Sequence, residues 1–126
     1  MSYVLKWEPH GVVKYFTGTV TSRDLMESEQ ELVNHPRFDR LRYVISVYLT
    51  AVEISFSEND REEMIALRVG GFQTNRRVRY AIVAQDERIR QSVLKSIATE
   101  ETRHKTALFG DLMEAIIWAN DPSPGE

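Results

Sequence analysis

Two neighbouring stretches of this sequence hold the residues best suited to chemistry. Segment 53–63 carries Glu53, Glu58, Asp60, Glu62 and Glu63 against Arg61, a net of about −4. Segment 68–79 carries Arg68, Arg76, Arg77 and Arg79 with no acid, about +4. Guanidinium forks match carboxylate and phosphate oxygens, so an arginine-rich loop beside an acidic helix start suits electrostatic docking or an anion pocket. The plain alternative is a pair of solvated faces that screen one another. Gln73-Thr74-Asn75, between Gly70-Gly71 and the arginines, reads as a mobile loop, where binding groups often reside. The candidate partner- or ligand-binding residues are therefore Ser57, Glu58, Asp60, Arg68, Arg76 and Arg77.

Covalent and metal chemistry have no comparable signal. Ser46, Ser55 and Ser57 lie in no Gly-x-Ser-x-Gly context, and no Gly-x-Gly-x-x-Gly or Walker loop occurs. His10, His35 and His104 are scattered. Glu101-x-x-His104 matches one element of a di-iron carboxylate site, which needs two such elements on a four-helix bundle. Zero cysteines exclude disulfides, thiol catalysis and cysteine-ligated metals. The expectation is a binding protein and not an enzyme: no catalytic residue, no metal and no cofactor.

The 126 residues carry 16 Lys+Arg against 19 Asp+Glu, net −3, the opposite of the basic excess a general nucleic-acid binder shows. With 42% hydrophobic residues the chain has the composition of a globular domain. One α/β domain is expected over residues 1–120, followed by a disordered, proline-interrupted tail, 121–126. No apolar run approaches the roughly 18–20 residues that span a bilayer, so the cytoplasm is the expected address and membrane contact at most peripheral.

Which elements position these residues follows from hydrophobic periodicity. Tyr3–Trp7 and Val12–Thr17 read as strands around the turn Glu8-Pro9-His10-Gly11. Thr21-Ser22-Arg23-Asp24 is a helix start, a hydroxyl cap with an acid three residues on. Leu25, Met26, Leu32 and Val33 follow at helical spacing, and Asn34-His35-Pro36 ends the helix. Arg42–Ala51 is a strand apolar on both faces, hence central and covered twice. Ser57 caps a second helix with Met64, Ile65 and Leu67, which Gly70-Gly71 is expected to stop. Val78–Ala84 is another buried strand. Asp86 opens a third helix with Ile89, Val93, Leu94, Ile97 and Ala98 in one stripe. Thr106–Phe109 is a short strand, and Gly110-Asp111 leads to a last helix with Leu112, Met113, Ile116 and Ile117 on one side. The order ββαβαβαβα implies a single-layer mixed, mostly parallel sheet with an N-terminal antiparallel hairpin. Trp7, Tyr48 and Trp118 are surplus aromatics, expected in the core, with a homodimer seam or an apolar ligand groove as the functional alternative.

In order and spacing the chain resembles the SpoIIAA-like (STAS-type) family. The resemblance is carried by the hairpin with Gly11–Gly18, the helix ending His35-Pro36-Arg37-Phe38, and the strand from Arg42. It continues through Ala81–Ala84 with its following helix and Leu108-Phe109 running into Leu112–Trp118. It implies a bacterial α/β domain with helices mainly on one sheet face. It also implies a regulatory, non-catalytic module that binds a protein partner, here unidentified. In such anti-sigma-factor antagonists a serine at the start of the helix after the third strand is phosphorylated; the corresponding residue is Ser57. The family's Asp-Ser-(Ser/Thr)-Gly pattern is absent: no aspartate precedes Ser57, no glycine follows, and acids crowd the first turn. Helix capping is thus the expected role of Ser57, with phosphorylation the alternative. The family's distant likeness to CRAL-TRIO lipid-transfer domains implies the rival function, a carrier or sensor of a small hydrophobic or lipid-like ligand.

Overall fold

The computed structural model describes residues 3–55, 57–96 and 105–121. Strands β1 (Tyr3–Trp7), β2 (Gly11–Thr21), β3 (Tyr43–Ser55), β4 (Arg79–Val83) and β5 (Thr106–Phe109) form one sheet in sequence order. β1 pairs antiparallel with β2, and every other pairing is parallel. Helices α1 (Ser22–Val33), α2 (Glu58–Thr74) and α3 (Glu87–Ser96) make the crossovers, and α4 (Leu112–Asn120) closes the described chain. Right-handed crossovers between strands that advance in one direction must all pass over the same face. Accordingly Leu25 and Leu32 of α1, Met64 and Phe72 of α2, and Ile89 and Val93 of α3 pack on Val12, Phe16, Val44, Tyr48, Tyr80 and Ile82. α4 is no crossover and covers the other face, with Ala115 and Ala119 against Val13, Ile45, Ala81 and Val83. Helices lie mainly on one face, as expected.

Two strands are longer than the sequence suggests. β2 runs on to Thr21 and β3 to Ser55, pairing through Thr19–Thr21 and Glu53–Ser55 after two register shifts. Gly18, at φ +65°, takes the left-handed geometry one of these shifts needs. The helix start at Thr21 is present as a full capping box: the Asp24 N–H donates to Thr21 Oγ1 at 3.3 Å and the Thr21 N–H to Asp24 Oδ2 at 3.0 Å.

Four expectations need correction. Gly70-Gly71 does not stop α2, which continues to Thr74. A Cβ on Gly71 would stand 3.2 Å from the Phe38 ring and 3.4 Å from Val33 Cγ1, so this glycine serves close packing, not termination. Gln73 and Thr74 are accordingly the last turn of α2 rather than a mobile loop. Asn75 is a buried cap whose Nδ2 donates to the Phe38 and Leu41 carbonyls, each at 2.7 Å. Leu94 is exposed and not on the buried stripe of α3. In α4 the buried residues are Ala115 and Ala119, while Met113 and Ile117 face solvent, because small side chains let the helix sit close on the sheet. Ile97 and Ala98, Glu101 and His104, and tail residues 122–126 lie outside the described residues.

The two adjacent glycines give a test of opposite signs. Gly70 has nothing within 4 Å of an added Cβ, so Gly70→Ala should stabilise by about 0.5–1 kcal/mol, the helix-interior preference for alanine. Gly71→Val should cost about 1–3 kcal/mol through overpacking against Phe38. Urea denaturation of the two variants measures both; a destabilising Gly70→Ala would mean that the helix ends there.

Candidate functional site

Parallel strands deliver every following helix to the same end of the sheet. Thr21, Ser57 and Asp111 cap α1, α2 and α4, and Asp86 Oδ1 accepts from the Arg88 and Ile89 N–H groups at the start of α3. Acids gather there because carboxylates are stabilised by helix N-terminal N–H groups. Ser57 is exposed, and its Oγ accepts from the Asp60 N–H at 3.1 Å, so it caps α2. Glu58, Glu62 and Glu63 are exposed and Asp60 half-buried. Arg61, the only cation of the segment, turns inward: its Nη1 donates to the Ser92 carbonyl at 2.5 Å and its Nη2 to Ser92 Oγ at 3.3 Å, tying α2 to α3. The outward charge of this turn is therefore acidic.

β3 runs past its β4 partner at the same end. Their pairing stops at Val47–Val83, so among the described residues no strand joins β3 from Tyr48 to Ser55 on its β4 side. Leu49 and Val52 lie on this overhang, 42% and 73% exposed. Glu53 on the same overhang, and Glu58 and Glu62 at the start of the α2 that follows it, are exposed as well.

The arrangement separates the six candidate residues. Ser57, Glu58 and Asp60 stand at the start of α2, while Arg76 and Arg77 follow its end, about 25 Å away at 1.5 Å per residue. Both arginines are exposed. The single dipolar surface expected from their closeness in sequence does not form, because the helix spanning Gly70-Gly71 holds the two charges apart. Arg68 joins neither end: it lies inside α2 with its side chain largely withdrawn, not in a loop.

Arg68 belongs to a buried ionic cluster that sequence reasoning missed. Lys14 Nζ donates to Glu29 Oε1 at 3.0 Å and to Ser28 Oγ at 3.2 Å, with the Lys14 and Glu29 side chains 2% and 1% exposed. Arg68 Nη2 lies 3.5 Å from the same oxygen, and Tyr80 O–H donates to Glu29 Oε2 at 2.8 Å. The guanidinium also lies over the Tyr80 ring, 4.7 Å from its centroid. Burial pushes the Glu29 pKa up, but Lys14, Arg68 and the hydrogen bonds from Tyr80 and Lys14 outweigh it and hold the carboxyl at about 2. Burial lowers the Lys14 pKa and raises that of Tyr80. A signal existed: Lys14 shares a strand face with Val12 and Phe16, and Glu29 sits four residues after Leu25 and three before Leu32.

Beside the cluster, Leu25, Tyr48, Ile54, Met64, Ile82 and Val93 line a cleft with Ser46, Ser92 and Arg68 as its polar groups. Its free space of about 20 Å³ is room for about one water. Arg68 Nε is buried there without a hydrogen-bond partner among the described residues.

No protein-family model matches the chain, and no curated protein matches it by sequence. Solved structures do match. An anti-sigma factor antagonist from Mycobacterium paratuberculosis superposes with a TM-score of 0.65 at 11% identity, covering 94% of this chain and 93% of that one. The anti-sigma factor antagonist SpoIIAA, in its unphosphorylated form, gives 0.61 at 9% identity over 91% of this chain and 94% of its own. An uncharacterized DUF3478-family protein from Shewanella loihica, described as having a SpoIIAA-like fold, gives 0.58 at 16% identity over 93% and 91%. The fold is therefore SpoIIAA-like, in agreement with the resemblance read from the sequence.

Removing one partner from a buried ion pair leaves an uncompensated charge, so Glu29→Gln should cost about 3–5 kcal/mol. Lys14→Met keeps the packed stem and leaves Glu29 with Arg68 and Tyr80, so its cost should stay below about 1.5 kcal/mol. Glu29 has a folded-state pKa below its ordinary 4.5, so its stabilisation is full above that value and is lost as pH falls toward about 2. Thermal melts between pH 6 and 2.5 should show a steeper acid loss in the parent than in Glu29→Gln. Parallel curves would contradict the cluster.

Proposed function

We propose that this chain is a non-catalytic, cytoplasmic regulatory module that binds a protein partner through the end of the sheet where α2 begins. The observation that carries this reading is the β3 overhang, which among the described residues has no strand on its β4 side, carries the exposed Leu49 and Val52, and precedes the exposed cap Ser57 and the acidic start of α2. An apolar centre with a charged rim is the anatomy of a protein contact, and the unpaired β3 edge adds backbone groups to it. The rim selects a partner with a basic surface. The names of two superposed structures, both anti-sigma factor antagonists, support a protein partner in the same class of role. Ser57 works as the cap of α2; a phosphate on its exposed hydroxyl would add charge among Glu58, Asp60, Glu62 and Glu63 and alter the rim. Arg68 supports the surface from beneath, through the cluster that holds α2 to the sheet.

The rival reading, a carrier of a small apolar or lipid-like ligand, has the apolar lining of the cleft between sheet and helices in its favour. Space for about one water favours the exposed surface instead.

Partner capture with chemical crosslinking tests the proposal. Val52→Asp and the double variant Glu58→Lys/Glu62→Lys should each weaken capture by about tenfold or more at low salt. Ser57→Ala should lower stability by about 1 kcal/mol with a smaller effect on capture. Undiminished capture by both surface variants, or crosslinks confined to α4, would refute this contact surface.

A further inference from the structure

At the opposite end of the sheet the cations collect. The parallel strands begin at Gly11, Tyr43, Arg79 and Thr106, so His10, Arg42, Arg77 and Lys105, one or two residues before those starts, stand at one end with Arg37, Arg40 and Arg76. Against them stand Glu8, whose carboxylate accepts from Tyr43 O–H at 2.5 Å, the exposed Asp39, and Asp121 at the end of α4. Arg40, Arg42, Arg76 and Arg77 are exposed, and their side chains make no hydrogen bond or ion pair among the described residues. They do not serve the helix C-termini either: α1 and α2 have no basic residue in their last turns and close through the Asn34 and Asn75 N–H groups. Cations massed at one end without a structural partner are available to something else.

This end is also concave. Pro9, His10, Arg37, Arg40 and Leu41 line a recess of about 310 Å³. Phe38–Arg40 is a 3₁₀ turn, in which residues three apart eclipse, so Arg37 and Arg40 project to one side. Arg37 is held in place: its Nη2 donates to the Glu8 carbonyl at 2.5 Å, and its guanidinium lies 5.1 Å from the centroid of Trp7, whose ring packs tilted against His35 at 4.1 Å between centroids. A guanidinium fixed in this way loses little freedom on binding. Among the described residues no acid lines the recess, and none of the exposed large apolar residues (Val4, Leu49, Val52, Leu94, Met113, Ile117) does, so this lining lacks the anchors a membrane surface would use.

We propose that this recess binds a soluble oligophosphate group, two or more linked phosphates carried by a small molecule, with Arg37, Arg40 and His10 on the first phosphate and the arginines beyond it on the rest. Phosphate is favoured over carboxylate because its several oxygens satisfy more than one fork at once. A small molecule is favoured over nucleic acid because the site is a recess of ligand size on a chain of net charge −3. The site lies at the far end of α2 from the proposed protein contact and stands independently of it.

Calorimetric titration with sodium tripolyphosphate, orthophosphate and triglutamate, without divalent metal, tests the proposal. Tripolyphosphate should bind at least about tenfold tighter than either comparison anion. Arg40→Ala should weaken it about tenfold and Arg76→Ala/Arg77→Ala about threefold, while Arg23→Ala, exposed at the acidic end, leaves it unchanged. Arg37→Ala risks loosening the β1–β2 turn, so Arg37→Lys is the companion variant: it keeps the charge, loses the fork and should still weaken binding. The His10 imidazole proton resonances should shift on titration in the parent protein. Absence of tripolyphosphate binding at millimolar concentration, equally tight triglutamate, or equal loss in Arg23→Ala would overturn the proposal.

Discussion

The structure depends on the parallel register of β2 to β5. Strands that advance in one direction, joined by crossovers of one hand, place α1, α2 and α3 on one face and start all four helices at one end. The rest of the charge pattern follows from that geometry. Carboxylates collect where helix N–H groups point outward, and cations collect where the strands begin. A sequence with a small net charge thereby becomes a molecule with an acidic end and a basic end. Neither end is visible in the overall composition.

The same register explains the buried ionic cluster. Lys14 sits on the face of β2 that α1 and α2 must cover, with its side chain 2% exposed. Ser28 and Glu29 of α1 meet it there, and Arg68 of α2 reaches the same Glu29 carboxylate. Two cations around one carboxylate tie the sheet, α1 and α2 together, with Tyr80 completing the hydrogen bonds of Glu29. Buried ion pairs add little net stability over apolar packing but penalise misplacement heavily. The cluster thus fixes how α2 lies on the sheet, and with it where Ser57 and the β3 overhang stand. Arg61 acts similarly between α2 and α3, leaving the acids of its turn facing outward.

Much of the fold was legible in the sequence because its signals are local. The strand-forming runs Tyr3–Trp7 and Val12–Thr17 around their turn, the capping box at Thr21 and the doubly apolar run around Val44–Val47 each need only neighbouring residues to be read. The misreadings have non-local causes. Gly71 looks like a helix stop until Phe38, thirty-three positions earlier in the chain, is known to press on it. Met113 and Ile117 look buried by size, but the sheet accepts Ala115 and Ala119 because the helix must approach closely. Lys14 and Glu29 look like surface charges by type, although their positions lie on apolar faces. For the site, Ser57 and its acids were recognisable by type. Their separation from Arg76 and Arg77 was not, because it required knowing that α2 continues through two glycines.

The claim that most directly carries both binding proposals is this separation of the two charged ends by an unbroken α2. The chain has no cysteine, so two can be introduced and labelled cleanly. Pulsed electron–electron spin resonance between labels at Glu58→Cys and Arg77→Cys measures the span in solution. A helix rising 1.5 Å per residue predicts one narrow distribution centred near about 25–30 Å. A distribution below about 15 Å would show that the chain turns back at Gly70-Gly71, uniting the acids with the arginines and contradicting the account.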